Sequence, residues 1–128
     1  MASNIVIGAV VGASAIPESV KMVLSGVTEP FQVIDGSHRA NGAKSITKVA
    51  LSMLNSGDTG STTVRVYRDG TSGATSQDFA LSANGGLNSN ITALGSPIAL
   101  VAGDVIWVDV IGVASSGLSE ELTVEIIF

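Results

Sequence analysis

Apolar and polar residues alternate along much of the chain with a period of two, and the alternating runs are short. Gly, Ser, Thr, Asn and Asp interrupt the sequence at short intervals, and the runs between them are rich in β-branched residues. Weak helical spacing occurs across 17–24, but Val20, Met22 and Leu24 also alternate as in a strand, and we favour the strand. The pattern therefore predicts an all-β protein.

We expect about eight or nine strands joined by tight turns, which is typical of an antiparallel β-sandwich with a jelly-roll-like arrangement. Arg68–Thr71 and Ala102–Asp104 each contain a glycine that can take the positive φ needed in a tight turn. No linker divides the sequence, so we expect one domain over residues 1–128. The predicted strands are Asn4–Val11, Ser19–Leu24, Phe31–Ile34, Ser45–Leu54, Thr62–Arg68, Gln77–Leu81, Ile91–Leu94, Asp104–Val113 and Leu122–Phe128.

Alternation also predicts which side chains face the core. Within Thr62–Arg68 we expect Val64 and Val66 to point inward and Arg65 and Tyr67 outward. Gly112 interrupts the alternation of its strand and indicates a bulge or bend there. Within Ser45–Leu54 the predicted faces are Thr47, Val49, Leu51 and Met53 on one side, and Ile46, Lys48, Ala50 and Ser52 on the other.

The composition points to assembly with other proteins. Apolar residues make up 45% of the sequence, while charged residues make up 13%, about half the usual fraction of a soluble domain. Isolated soluble domains rarely leave large apolar patches in water. We therefore expect part of the apolar surface to lie against a partner, in an oligomer or a larger assembly.

Charge and cysteine content exclude several classes of partner and cofactor. The formal charge of −5 has the wrong sign for neutralising nucleic-acid phosphates or an anionic membrane surface, so we expect neither partner. Cysteine is absent, which excludes thiolate metal sites and disulfides. We expect no cofactor.

The apolar run 5–13 is the main candidate for an assembly contact. No Lys or Arg precedes it, and it is far shorter than the ~20 apolar residues that cross a bilayer, so we favour a buried or partner-paired strand over a targeting segment. Residues 1–13 are then an assembly arm or edge strand that adds to a neighbour's sheet. The predicted contact residues are Ile5, Ile7, Val10 and Val11, supported by Phe31 and Val33.

Catalytic residues are scarce in this sequence. The one histidine, His38, lies in a predicted loop, Asp35–Lys44, with Ser37 beside it, but no nucleophile-elbow or triad pattern surrounds them. The adjacent acids Glu120 and Glu121 are typical of a solubilising turn before the last strand. The oxygen-rich loop Asn55–Ser61 lacks the spacing of an EF-hand. We therefore predict a protein that is not an enzyme.

Four ordered segments stand out between residues 45 and 128. They are 46–53, 60–71, 100–113 and 122–126, and they read ITKVALSM, GSTTVRVYRDGT, LVAGDVIWVDVIGV and LTVEI. With these segments, residues 45–128 resemble the small β-sandwich domains of structural proteins in tailed bacteriophages. The resemblance implies a jelly-roll or immunoglobulin-like module. Such modules occur as capsid decoration or cement proteins, or as parts of fibres and baseplates.

From the resemblance and the composition together we expect a virion structural protein. The favoured role is a capsid cement or decoration protein that bridges neighbouring coat subunits at the capsid surface, after assembly in the host cytoplasm. Its expected partners are the major capsid protein and further copies of itself, with a homotrimer favoured. The alternative is a fibre or tail-tip module that recognises a host surface glycan through the loops around His38, Asn55–Ser61 or Ser82–Asn90. The scarcity of aromatic residues, 4% of the sequence, weighs against that alternative.

Overall fold

A computed structural model of the chain describes residues 18–34 and 37–128, and the regular structure in this part consists of β-strands. The predicted strand Asn4–Val11, with its contact residues Ile5, Ile7, Val10 and Val11, lies outside the described residues. The strands are β1 (Ser19–Val27), β2 (His38–Arg39), β3 (Lys44–Ser56), β4 (Ser61–Asp69), β5 (Thr75–Ser82), β6 (Asn88–Leu100), β7 (Val105–Gly112) and β8 (Ser119–Ile127).

The strands form two antiparallel sheets of four strands each. Sheet 1 has the order β1-β8-β3-β6, and sheet 2 has the order β2-β7-β4-β5. The pairs are nested along the chain, with β4–β5 innermost, then β3–β6, then β2–β7 and finally β1–β8. A long hairpin folded across two sheets in this way is the eight-stranded jelly roll. The predicted fold class, an all-β sandwich of jelly-roll type, is confirmed.

The core lies between the two sheets and is built from the inward-facing positions of alternating strands. Val64 and Val66 of β4 are fully buried, which confirms their predicted direction. The bulge predicted at Gly112 is also present, because Thr63 pairs with Gly112 while Val64 pairs with Val110. The fully buried side chains include Val49, Leu51 and Met53 of β3, Ile106, Val108 and Val110 of β7, and Leu122, Val124 and Ile126 of β8.

Three predictions about local structure are wrong. His38 and Arg39 were expected in the loop Asp35–Lys44, but they form β2 and pair with β7. Ile46 is fully buried, although the alternation placed it opposite Val49 and Leu51, because a register shift between Ile46 and Lys48 changes the phase of the strand. Residues 31–34 do not form a strand. They carry an isolated bridge between Val33 and Asp109, and they border the edge of β7 through hydrogen bonds with Val108 and Val110.

Side-chain amides close one side of the sandwich, where β5 and β6 lie at the edges of their sheets. Asn88 Nδ2 donates to the carbonyl of Ser82 at 2.7 Å, and Asn90 Nδ2 donates to that of Ala80 at 2.7 Å. Because an unpaired edge invites association with another chain, these bonds protect this side of the molecule. The described residues contain no helix long and apolar enough to cross a membrane.

Candidate functional sites

The outer face of sheet 2 carries a stacked aromatic pair. Tyr67 on β4 and Trp107 on β7 are directly opposite each other across the strand pair. Their ring centroids are 5.1 Å apart and their planes differ by 4°, which is the offset parallel arrangement that aromatic pairs favour. The pair is only partly buried, so one face of this sheet presents a rigid aromatic ridge to solvent.

An ion pair lies next to the aromatic pair on the same face. Arg65, two positions before Tyr67, donates through Nε to Asp78 Oδ1 at 2.7 Å and through Nη2 to Asp78 Oδ2 at 3.1 Å. Hydrogen bonding to Asp78, and secondly to Tyr67, raises the pKa of Arg65, while the guanidinium lowers the pKa of Asp78. The bidentate contact fixes the arginine beside the aromatic ridge.

Two shallow grooves border the aromatic ridge, with volumes of about 330 and 340 Å³. Trp107 and Asp69 line both grooves. The first is completed by Gly70 and Val105, and the second by Tyr67, Arg68, Ala74, Thr75 and Ser76.

The loop 70–74 forms a wall of the second groove and is held by Arg68. The Arg68 guanidinium donates to the carbonyls of Ser72, at 3.1 Å, and Gly73, at 3.2 Å, within the loop, and to the carbonyl of Ala99 on β6 at 2.9 Å. Because these bonds link the loop to both sheets, the groove is formed before any ligand arrives.

Asp104 holds the same loop from below. Its side chain is buried and accepts hydrogen bonds from the Ser72 amide at 2.9 Å, the Ser72 hydroxyl at 2.5 Å and the Val101 amide at 3.0 Å. These bonds, with the Ser72 hydroxyl first, lower the pKa of Asp104 to about 2. The carboxylate is therefore ionised at neutral pH and acts as a structural acceptor.

A second candidate site is an exposed apolar edge where the chain crosses from sheet 1 to sheet 2. We call it the Phe31 edge, and its members are Phe31 and Val33, whose side chains are 87% and 61% exposed. Val33 shares the outer face of sheet 2 with its bridge partner Asp109. Val23 of β1 is 51% exposed and faces out of sheet 1 instead. Within the described residues β1 pairs with β8 alone, so the other edge of β1 has no partner strand there.

The backbone at Phe31 is strained. Pro30 and Phe31 occupy the two central positions of the turn Glu29–Gln32, and Phe31 has a φ of 65°. Turns of type II need a positive φ at this third position and usually place Gly or Asn there, because other side chains collide with the backbone. The Phe31 amide donates a hydrogen bond to the Val110 carbonyl at 2.7 Å, which fixes the backbone of this turn against β7 while the ring is exposed.

The predicted contact residues that the structure describes thus lie together. Phe31 and Val33 are both exposed, and both belong to the Phe31 edge. Their role in assembly stays a prediction.

His38 lies at one end of the sandwich in a setting unlike that of a catalytic base. Its Nε2 atom is 3.4 Å from Lys44 Nζ, and its ring is 5.6 Å from that of Phe128. Burial lowers its pKa, and the Lys44 charge lowers it further, while Glu18 acts in the opposite direction. Lys44 also contacts Glu18 at 3.2 Å and lies 4.3 Å from the centre of the Phe128 ring. The histidine therefore belongs to a packed cluster with Lys44 and Phe128. It makes no hydrogen bond with Ser37, the nucleophile considered beside it.

The polar loops considered for glycan or calcium binding bond to one another. Asp58 donates from its amide to the Ser116 carbonyl at 2.8 Å, and Gly85 donates to the Gly57 carbonyl at 2.7 Å. Glu121 accepts a hydrogen bond from the Gly26 amide at 3.1 Å, next to the register shift in β8. Among the described residues, no cluster of three His, Cys, Asp or Glu side chains is arranged to hold a metal ion.

Sequence reasoning missed the aromatic pair. It placed Tyr67 on the outward face of its strand correctly, but it took the aromatic residues to be too scarce to form a sugar-binding surface. The missing signal was the β4–β7 register, which sets Tyr67 opposite Trp107 and Arg65 opposite Asp109. These residues are about 40 positions apart, and no local pattern specifies that alignment.

The comparisons with known proteins concern the fold. No protein-family model matches the sequence, and no curated protein is similar to it. Among solved structures, the chain is similar to the globular domain of zebrafish complement 1qA protein, with a TM-score of 0.51 and 11% sequence identity. The match covers 88% of this chain and 97% of the zebrafish chain. At that identity it supports the jelly-roll-like β-sandwich as the architecture of this chain.

Proposed function

We propose that the chain is a structural protein of a tailed-bacteriophage virion with no catalytic role. In this proposal it acts as a capsid cement protein that bridges neighbouring coat subunits at the capsid surface, after assembly in the host cytoplasm. The observation that carries the proposal is the Phe31 edge, a pair of exposed apolar residues that border β7 in the segment following β1.

Phe31 has the properties of an anchor residue in an interface. Its ring is almost fully exposed, and burying a phenylalanine side chain contributes about 1.5–3 kcal/mol. A strained backbone that holds an apolar ring in water lowers the stability of the free protein, so its presence favours a role in contact with a partner. Val33, two positions further along the chain, supplies additional exposed apolar surface.

The outer edge of β1, which has no partner strand within residues 18–34 and 37–128, supplies a second mode of contact. Natural proteins usually protect such edges with charged residues, prolines or bulges, and Lys21 is the charged residue within β1. A strand from another chain can extend sheet 1 through main-chain hydrogen bonds. The apolar run containing Ile5, Ile7, Val10 and Val11 is our candidate for that strand, in a symmetric oligomer with the trimer as the first expectation.

The test variant is Phe31→Asn. Asparagine tolerates a positive φ, so the substitution removes the ring while keeping the turn. Stripped capsids of the phage that encodes the chain are incubated with purified protein and sedimented, and the bound protein is counted per particle. We expect the wild-type protein to sediment with capsids and Phe31→Asn to bind about tenfold more weakly, since about 1.4 kcal/mol of lost burial gives that factor.

Leu118→Ser is the matched control. Leu118 is an exposed apolar residue like Phe31, although only 50% exposed, and it lies outside the Phe31 edge. It should bind like the wild type. Absence of the protein from purified virions by mass spectrometry would contradict the virion assignment. Undiminished binding by a folded Phe31→Asn protein would contradict the Phe31 edge as the contact.

A further inference from the structure

The outer face of sheet 2 concentrates aromatic groups in a sequence that is poor in them. The chain contains one Trp and one Tyr, and the two rings stack on each other on this face. A partly exposed aromatic pair on a flat sheet offers an apolar surface of defined shape. This surface is on the sheet that does not contain β1, so it is a separate feature from the outer edge of β1.

The groups around the aromatic pair define a small binding site. The two grooves meet at Trp107 and Asp69, and each has a volume of about 330–340 Å³. Together they fall within the size range of small-molecule sites, in which an apolar lining is combined with a few fixed polar groups. Arg68 and Asp104 fix the loop 70–74, so the wall of the second groove is preorganised.

The polar groups at the grooves suit a ligand with many hydroxyls. The Asp69 carboxylate accepts a hydrogen bond from the Gly70 amide and retains further acceptor capacity. Thr75 and Ser76 are exposed and offer hydroxyl groups that donate and accept. A pyranose ring combines a C–H face that can stack on an aromatic ring with hydroxyls at its rim.

The charges at this face favour a neutral ligand. Arg65 is bound to Asp78 through two hydrogen bonds, and Arg68 donates to three backbone carbonyls, so both guanidinium groups are already engaged. Asp69 adds a negative charge where the two grooves meet. Arg39 on β2 is exposed and in register with Val105, so it lies beside the first groove and offsets this negative charge. The site therefore favours neither an anionic nor a cationic sugar over a neutral one.

We propose that the outer face of sheet 2 binds a neutral oligosaccharide across the Tyr67–Trp107 pair. One pyranose ring lies in the second groove against the aromatic pair, and the sugar chain continues toward the first groove past Trp107 and Asp69. Asp69, Thr75 and Ser76 hydrogen-bond to the sugar hydroxyls. This places glycan recognition on a sheet face rather than on the loops around His38, Asn55–Ser61 or Ser82–Asn90.

Trp107 makes the proposal directly testable, because the emission of the only tryptophan reports on the proposed site. The purified protein is titrated with the neutral probes cellohexaose, maltohexaose, mannohexaose and N-acetylchitohexaose, with the anionic probe hexagalacturonate, and with choline. We expect a saturable change in emission with at least one neutral probe. Tyr67→Ala should weaken that binding about tenfold, because the second groove loses an aromatic ring that lines it.

Ser76→Arg is the second variant, chosen because Ser76 is exposed and directly opposite Tyr67 on β5. Its side chain can cover the Tyr67 ring through a cation–π contact without removing any core group. We expect a loss of binding with an unchanged circular dichroism spectrum. Phe31→Asn is the control and should bind sugar like the wild type.

Three results would overturn the proposal. The first is the absence of any response to the neutral probes. The second is tighter binding of hexagalacturonate or of choline than of every neutral probe, which would make the face an anion or cation site. The third is sugar binding that survives both Tyr67→Ala and Ser76→Arg in folded protein.

Discussion

The two outer faces of the sandwich are built on similar antiparallel sheets but carry different side chains. On sheet 1 the outward positions near the centre hold small residues, Ala50, Ser52 and Thr123, and they leave a groove of about 480 Å³. On sheet 2 the corresponding positions hold Arg65 and Tyr67, which pair across the strands with Asp78 and Trp107. The inward positions of each strand must be apolar to form the core, but the outward positions have no such requirement. The outer faces of the two sheets can therefore carry different side chains on the same fold.

The difference shows that exposed area alone does not define a binding face. The sheet 1 groove is broad, but it is lined by small side chains. Its two charged residues, Lys21 and Glu125, have opposite signs and are directly opposite each other on neighbouring strands. The sheet 2 face has smaller grooves, but its large side chains are fixed by stacking, by an ion pair and by the bonds to loop 70–74. Fixed groups lose little entropy when a ligand binds.

The largest expected effect comes from the core that both faces share. Leu51 is buried on the inner face of β3, and Leu51→Ala should lower the free energy of unfolding by about 2–5 kcal/mol, because it removes packed methyl groups and leaves a cavity. Urea denaturation monitored by circular dichroism measures the change. Ser52→Ala, on the outer face of the same strand, is the control and should stay within about 0.5 kcal/mol of the wild type. Equal losses for the two variants would contradict the assignment of inner and outer faces.

Acid should lower the stability of the protein through the loop 70–74, which borders the sheet 2 face and is held by Asp104. The pKa of Asp104 is about 2 in the folded protein and near its ordinary value of 3.8 when unfolded, so the unfolded state binds more protons between these values. Asp104 therefore contributes stability that is present above about pH 4 and is lost as the pH falls toward 2. Asp104→Asn should remove this part of the acid dependence in urea titrations between pH 7 and 2.

Asp78→Asn is the matched comparison for that experiment. The pKa of Asp78 is also lowered, chiefly by its hydrogen bond with Arg65. The stability that Asp78 contributes is therefore also lost as the pH falls. Because this pair is exposed, Asp78→Asn should change the acid dependence less than Asp104→Asn does. The reverse order would show that the ion pair, and not the buried carboxylate, controls the acid response.

The smallest effect is the coupling between side chains on each face. A double-mutant cycle with Tyr67→Ala and Trp107→Ala should give a coupling free energy of about 0.5–1.5 kcal/mol, as stacked aromatic pairs do. Val23 and Thr123 are directly opposite on the outer face of sheet 1, and their cycle should give a smaller value. If the two cycles agree, the aromatic pair makes no special contribution to the rigidity of the sheet 2 face.

Local patterns predicted much of the fold. The inward direction of Val64 and Val66 and the bulge at Gly112 followed from alternation alone, because the period of a strand is a property of its own backbone. The burial of Ile46 did not, since the bulge that reverses its direction arises in pairing with β6. Phe31–Ile34 looked like a strand by composition, but the turn at Pro30 and Phe31 prevented regular pairing.

The candidate sites divide in the same way. The sequence by itself determined an all-β sandwich, an apolar surplus and the choice of Phe31 and Val33 as contact residues, because composition and alternation are read without knowing which strands are neighbours. Only the tertiary structure decided that Phe31 takes a strained, exposed conformation and that Tyr67 stacks on Trp107. Those features depend on the pairing of strands distant in the chain, and the register of such pairs is set by the packing of the whole sandwich.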